Sequence, residues 1–189
     1  TELIDHPEHM SASLFSDILN KCQNSIDMAF LFGWGEPLLW PHLAEGITLA
    51  KQMNLKVNVT TNAAYPFTPA VRDAIEAEPD MLVIAMDSHI PEIYEAYRKP
   101  AKFRNTLNTA KCIIDTCTQG DLQTLVIMQM IRWPEMVNCE FEYRQFADSL
   151  GSVEINARRS FQNSTRPHKI ASKLKQRSCP VLWHGPAYI

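Results

Sequence analysis

No run of apolar residues reaches the ~18 that a membrane-spanning helix needs, and no basic region followed by an apolar core opens the chain, so neither a membrane partner nor a signal peptide is expected. Positive charge is not in excess either: 18 Lys and Arg against 21 Asp and Glu leave a formal net charge of −3. Nucleic-acid binding normally shows as clustered Lys and Arg, so that class is not expected. The longest basic stretch, "RPHKIASKLKQR" at 166–177, reads as a solvated helix face or linker. Cysteine is sparse and badly placed for structural use. The five residues (Cys22, Cys112, Cys117, Cys139, Cys179) are odd in number, and only Cys112 and Cys117 lie close, at a spacing that points them to different faces of a helix. Neither a disulfide framework nor a local zinc signature results, and a reducing cytoplasm is the simplest compartment. Internal repeats and low-complexity segments are also missing.

What remains is an ordinary globular composition: 189 residues, 46% hydrophobic and 21% charged, enough for one domain with a substantial core. Along it, helical and strand periods alternate. "SASLFSDILNKCQ" carries Leu14, Ile18 and Cys22 at helical spacing behind a Ser11 cap, and "IDMAFLFG" then reads as a buried strand. "HLAEGITLAKQM" returns to helix with Leu43, Ile47 and Ala50 on one face, and "LKVNVTTN" alternates Leu55, Val57 and Val59 as a strand. Thr68 followed by Pro69 is a strong helix start. "MLVIAMD" is a continuous apolar strand ending on a carboxylate, and "FRNTLNTAKCIIDTC" is a helix with Phe103, Leu107, Ala110, Ile114 and Cys117 in phase. "LQTLVIMQM" is the next strand. A helix is expected over 135–150, with Val137, Phe141 and Leu150 on its inner side and Gly151 as its stop; "SVEINA" is the last strand.

Strands this continuously apolar are buried on both faces, and helices between them imply right-handed crossovers and a parallel sheet. The fold class is therefore α/β. Five strands do not fill an eight-fold barrel of ~250 residues, and the sequence opens on a helix with no strand before it. The expectation is a piece of a longer protein: a partial barrel over 1–157, a linker or helix over 158–178, and the start of something further over 179–189.

Ligands of parallel α/β sheets bind beyond the carboxyl ends of the strands. Those ends are Gly33-Trp34-Gly35-Glu36, Thr60-Thr61-Asn62, Asp87-Ser88, Gln129, and Asn156 with Arg158 beyond. Polar residues are common at any strand end, but five such ends on one rim favour a small-molecule site. Two glycines let backbone approach a ligand without side-chain obstruction, and Glu36, held by Pro37, suits a positive amino group; a tight turn with an exposed Glu is the plainer alternative. Glu36 and Asp87 also form a candidate carboxylate pair for glycoside hydrolysis. His89, His168 and His184 have no metal-ligand spacing.

"FGWGEPLLWPHLAEGITLAKQMNLKVNVTTN" closely resembles the second- and third-strand region of radical S-adenosylmethionine (radical SAM) enzymes, where Gly-x-Gly-Glu-Pro precedes Leu-Leu and the third strand often ends Thr-Thr-Asn. "MLVIAMDSHIPEIYEAYRKPAKFRNTLNTAK" is similar to the family's Ser-x-Asp-Gly segment, whose following helix carries Tyr or Ile and then Arg; "CPVLWHGPAYI" looks like the opening of a SPASM-type auxiliary cluster domain. The resemblance implies a partial (β/α)6 barrel of parallel strands with its first strand missing. It also implies S-adenosylmethionine and a [4Fe-4S] cluster as cofactors, with an auxiliary iron–sulfur cluster. In the family a Cys-x3-Cys-x2-Cys loop holds the cluster, which reductively cleaves S-adenosylmethionine to a 5′-deoxyadenosyl radical that abstracts hydrogen from a peptide or small-molecule substrate. A donor such as ferredoxin or flavodoxin supplies the electron.

Carried over, Gly33, Gly35 and Glu36 meet the methionine amino group, and Asn62, Asp87 and Ser88 line the pocket near the ribose. Arg98 clamps the carboxylate, Gln129 and Asn156 complete the rim, and Cys179 is the first auxiliary-cluster ligand. The sequence departs from the pattern in three places: the three-cysteine loop is absent, Ala85 stands for Ser, and Ser88 stands for Gly. By itself the chain is therefore expected to be catalytically inert. A non-catalytic nucleotide- or peptide-binding module on a degenerate fold is the alternative.

Overall fold

A computed structural model of the chain describes residues 9–22, 24–33, 35–132, 134–136, 138–151 and 153–159. Its elements run α1 (Ala12–Cys22), β1 (Met28–Leu31), a single 3-10 turn (Pro37–Leu39), α2 (Leu43–Gln52), β2 (Lys56–Thr61), α3 (Pro69–Glu76), β3 (Met81–Ile84), α4 (Pro91–Tyr97), α5 (Phe103–Gln119), β4 (Leu125–Arg132), a second 3-10 turn (Pro134–Met136), α6 (Glu140–Asp148) and β5 (Glu154–Arg159).

The five strands form one sheet in the order β1-β2-β3-β4-β5, and every neighbouring pair is parallel. Sequential order has a geometric consequence. Right-handed crossovers that always step to the same side place every connecting helix on the same face, so the sheet curls as an arc of a (β/α) barrel instead of a doubly wound sandwich. Alternation along the strands agrees. Ala29 and Leu31, Val57 and Val59, Leu82 and Ile84, and Val126, Met128 and Met130 join the helices in one hydrophobic core. The residues between them (Asn58, Val83, Ile127, Gln129) lie on the other face and are also buried.

Local side-chain caps open two of the helices. Thr68 Oγ1 accepts from the Val71 amide at 3.3 Å, with Pro69 as the first helical residue of α3. Ser11 Oγ likewise accepts from the Leu14 amide at 3.2 Å to open α1. Four expectations need correction. The inner face of α1 is Phe15 and Leu19, which pack against Trp40 and the α2 face, while Leu14 is exposed. Two helices, not one, join β3 to β4; α4 has only seven residues, too few for its period to show, and opens on Pro91. The helix expected over 135–150 starts at Glu140, and its buried residues are Tyr143 and Ala147, whereas Phe141 is 66% exposed. Tyr143 wins the inner position because its ring fills the core and its hydroxyl donates to the Met86 carbonyl at 2.8 Å. The last strand, expected over 152–157, runs Glu154–Arg159. Residues 179–189, with Cys179, and nearly all of 158–178 lie outside the described residues.

Candidate functional site

The corner after β1 is built around one carboxylate. Glu36 is the N-cap of the 3-10 turn, and its Oε1 accepts from the Leu38 amide at 3.1 Å and from Thr61 Oγ1 at 2.6 Å. Its Oε2 accepts from the Asn62 amide at 2.8 Å. Pro37, with no N–H of its own, takes the first position of the turn. Glu36 therefore ties the end of β1 to the end of β2. A carboxylate offers about four lone-pair sites, so three protein donors leave one acceptor position on Oε2. Thr61 is part of the same knot, since its hydroxyl accepts from the Ala63 amide at 2.9 Å while donating to Glu36.

The two glycines of this corner answer to no packing among the described residues. A Cβ built on Gly33 or Gly35 meets no atom of those residues within 4 Å, whereas one on Gly46 would lie 2.6 Å from the Trp40 ring. Beside them is a cavity of about 320 Å³ whose walls include Gly33, Gly35, Glu36, Phe32, Trp40 and Met10. Trp40 is fixed there by its indole N–H, which donates to the Met10 carbonyl at 2.6 Å, and by an edge contact with Phe15.

At the end of β3 the chemistry is different. Asp87 is 1% exposed, and one of its oxygens accepts from Arg98 Nε at the C-terminus of α4. Its Oδ1 is buried and has no partner among the described residues. Burial raises the Asp87 carboxyl above its ordinary range; the Arg98 hydrogen bond and charge pull the other way without cancelling it. Two tyrosines pack the surrounding helices. Tyr143 of α6 holds the Met86 carbonyl, its own phenol raised by burial and then by the Asp87 charge, and Tyr94 of α4 shares a 2.8 Å hydrogen bond with Thr106 of α5. Ser88 is fully buried, its hydroxyl accepting from the Ile90 amide at 3.0 Å, so it shapes the entry to α4 and presents nothing to the rim.

The sequence-expected residues thus assemble unevenly. Gly33, Gly35, Glu36 and Asn62 share one hydrogen-bonded corner, with Asn62 Oδ1 turned to the Ala64 amide at 2.8 Å. Arg98 lies near enough for the Glu36 charge to act on its guanidinium. Gln129 and Asn156 are register partners on β4 and β5, next to the position of Ala85, which brings no hydroxyl. Thr61 was expected only as part of the Thr60-Thr61-Asn62 strand end and proves to hold Glu36, while Tyr143 was not expected at the site and has no local signal. Neither Glu36 nor Asp87 is placed as the proton donor of a glycosidase: one carboxylate is tied up by backbone amides, the other is buried against an arginine.

Cys112 is exposed, Cys22 and Cys139 are half-buried, and burial pushes the Cys117 thiol up to about 11. No group of three or more His, Cys, Asp or Glu side chains among the described residues could hold a metal. None of the described helices is long and apolar enough to cross a membrane.

No family model and no curated protein matches the sequence. Solved structures do match in fold. Streptococcus suis SuiB bound to S-adenosylmethionine superposes with a TM-score of 0.64 over 90% of this chain and 40% of its own, at 12% identity. His6-tagged anSMEcpe with bound AdoMet gives 0.61 over 84% of this chain and 43% of its own, at 13% identity. Native anSMEcpe with AdoMet and the Cp18Cys peptide gives 0.57 over 79% and 43%, at 14% identity. The chain spans between 40% and 43% of the length of these neighbours. Its fold is that of part of a radical SAM enzyme barrel.

Proposed function

We propose that this chain is the S-adenosylmethionine-binding arc of a radical SAM enzyme. The observation that carries the reading is the β1 corner: two glycines with open space at their Cβ positions precede a carboxylate that keeps one acceptor site, on a fold that similar structures share with the cofactor bound. The residues present fit the cofactor's chemistry. The Glu36 acceptor suits the methionine ammonium and the open backbone of Gly33 and Gly35 admits it, while Asp87, buried and outside the cavity walls, acts by holding Arg98. Arg98, Gln129 and Asn156 supply the remaining polar groups of the rim, and Ser88 acts by shaping the turn that sets Asp87.

Bound here and given one electron from outside this chain, S-adenosylmethionine would supply hydrogen-abstraction chemistry to the whole protein. The chain's own residues bind and orient: Glu36 holds charge at a fixed point, Thr61 and the Asn62 amide keep that carboxylate still, and the buried Asp87–Arg98 pair braces the next strand end. The described cysteines do not fit a [4Fe-4S] cluster, so no step is assigned to this chain through one. The whole protein's peptide or small-molecule substrate, its ferredoxin- or flavodoxin-type donor, an auxiliary cluster led by Cys179 and a cytoplasmic setting belong to the same proposal; a peptide-bound neighbour supports the peptide class.

Calorimetric titration of S-adenosylmethionine into the chain, set beside Glu36→Gln, tests the reading. Loss of a charged acceptor weakens binding about 10-fold or more. Equal affinity of the two proteins would overturn it.

A further inference from the structure

A second cavity, of about 530 Å³, opens between the loop after β2 and the segment joining α4 to α5. Asn62, Tyr65, Arg98, Lys99, Lys102 and Asn105 are among its walls, and no aspartate or glutamate is. This is a cationic enclosure in a chain whose formal net charge is −3. Its free hydrogen-bonding groups are also one-sided. Arg98 gives Nε to Asp87, which leaves the other four of its five N–H groups without a partner among the described residues. Lys99 has no ion-pair partner there either. The Asn62 side-chain oxygen is engaged by the Ala64 amide, so its NH2 is the half still to be bonded.

The surrounding acids set the net charge. Asp87 pairs with Arg98, Glu95 pairs with Lys102 at 2.9 Å, and Glu135 accepts from the Tyr97 hydroxyl at 3.0 Å outside the lining. Two of the three lining cations are therefore compensated, and Lys99 carries the excess. A single excess positive charge among donors matches a monoanion with several acceptor lone pairs, presented on a moiety that can lie against the Tyr65 and Pro100 walls.

We propose that this cavity is the substrate-carboxylate subsite: it binds a carboxylate of a peptide, from an acidic side chain or a chain terminus, next to the cofactor corner that shares Asn62 and Arg98. The inference rests on the cofactor reading only in calling the ligand a substrate. The 189-residue chain is titrated, by NMR shift perturbation, with acetyl-Gly-Glu-Gly-amide, acetyl-Gly-Gln-Gly-amide, acetyl-Gly-Gly-Gly with a free terminus, and inorganic phosphate. S-adenosylmethionine is titrated separately. The Glu peptide, the free-terminus peptide or both bind at least ~10-fold tighter than the Gln peptide, which separates the two carboxylate sources. Lys99→Gln weakens that binding about 10-fold with an unchanged melting temperature and unchanged S-adenosylmethionine affinity, and Lys99→Arg restores it. Equal binding of the Glu and Gln peptides, or phosphate outcompeting both carboxylates, overturns the subsite. A chain that binds S-adenosylmethionine but no peptide overturns it alone; one that binds the Glu peptide but not S-adenosylmethionine overturns the cofactor reading and leaves the subsite standing.

Discussion

Arg98→Met removes the one partner that the Asp87 carboxylate has among the described residues. The carboxylate is 1% exposed, and its second oxygen has no hydrogen bond among those residues. Stranding one member of a fully buried ion pair costs ~3–5 kcal/mol. Arg98 keeps 32% of its side chain exposed, so solvent already screens part of the pair and about 2–4 kcal/mol is the better figure. Protonation sets a ceiling: neutralising a carboxyl of ordinary pKa near 4 at pH 7 costs about 4 kcal/mol. The same ceiling gives the pH dependence. In the variant the Asp87 carboxyl is raised further, so below that value the folded state binds a proton that the unfolded state does not, and stability rises as pH falls. Urea unfolding should show the deficit of Arg98→Met against the parent shrinking from about 2–4 kcal/mol at pH 7 to ~1.5 kcal/mol or less at pH 5. Adding Asp87→Asn to the variant should recover part of the loss at pH 7. A deficit under ~1 kcal/mol, or one that does not change between these pH values, would refute the reasoning and reduce the pair to an ordinary surface contact.

Three further substitutions separate folding from binding. Gly46→Ala puts a methyl 2.6 Å from the Trp40 ring and should destabilise the chain by ~1–3 kcal/mol in thermal or urea unfolding. Gly35→Ala meets nothing, so its unfolding free energy should stay within ~0.5 kcal/mol of the parent while S-adenosylmethionine binding weakens. Tyr143→Phe orphans the buried Met86 carbonyl and should cost ~1–3 kcal/mol, read by denaturant midpoint.

The parallel arc was legible in the sequence because its signals are local. Apolar runs such as "MLVI", the Thr68–Pro69 start and the Gly-x-Gly-Glu corner each speak within a few residues. Where the reading failed, a distant partner decides the outcome. On α6 the spacing of Phe141 and Leu150 suggested one face, but the Met86 carbonyl 57 residues away selects Tyr143. Glu36 was legible as the carboxylate of a glycine-rich corner, yet its lock onto Thr61 and Asn62 spans 25 and 26 residues and depends on the β1–β2 register. Ser88 was read as a pocket residue from its place beside Asp87; the turn into α4, a helix too short to announce itself, draws its hydroxyl inward.

The central claim is that open backbone and a fixed carboxylate at the β1 corner bind S-adenosylmethionine. Equilibrium dialysis of radiolabelled S-adenosylmethionine against the chain and against Gly35→Val measures it directly. The account predicts saturable binding at a single site, weakened ~10-fold or more by a valine that leaves the melting temperature unchanged. A folded chain that shows no saturable binding, or one whose affinity is indifferent to the valine, contradicts it.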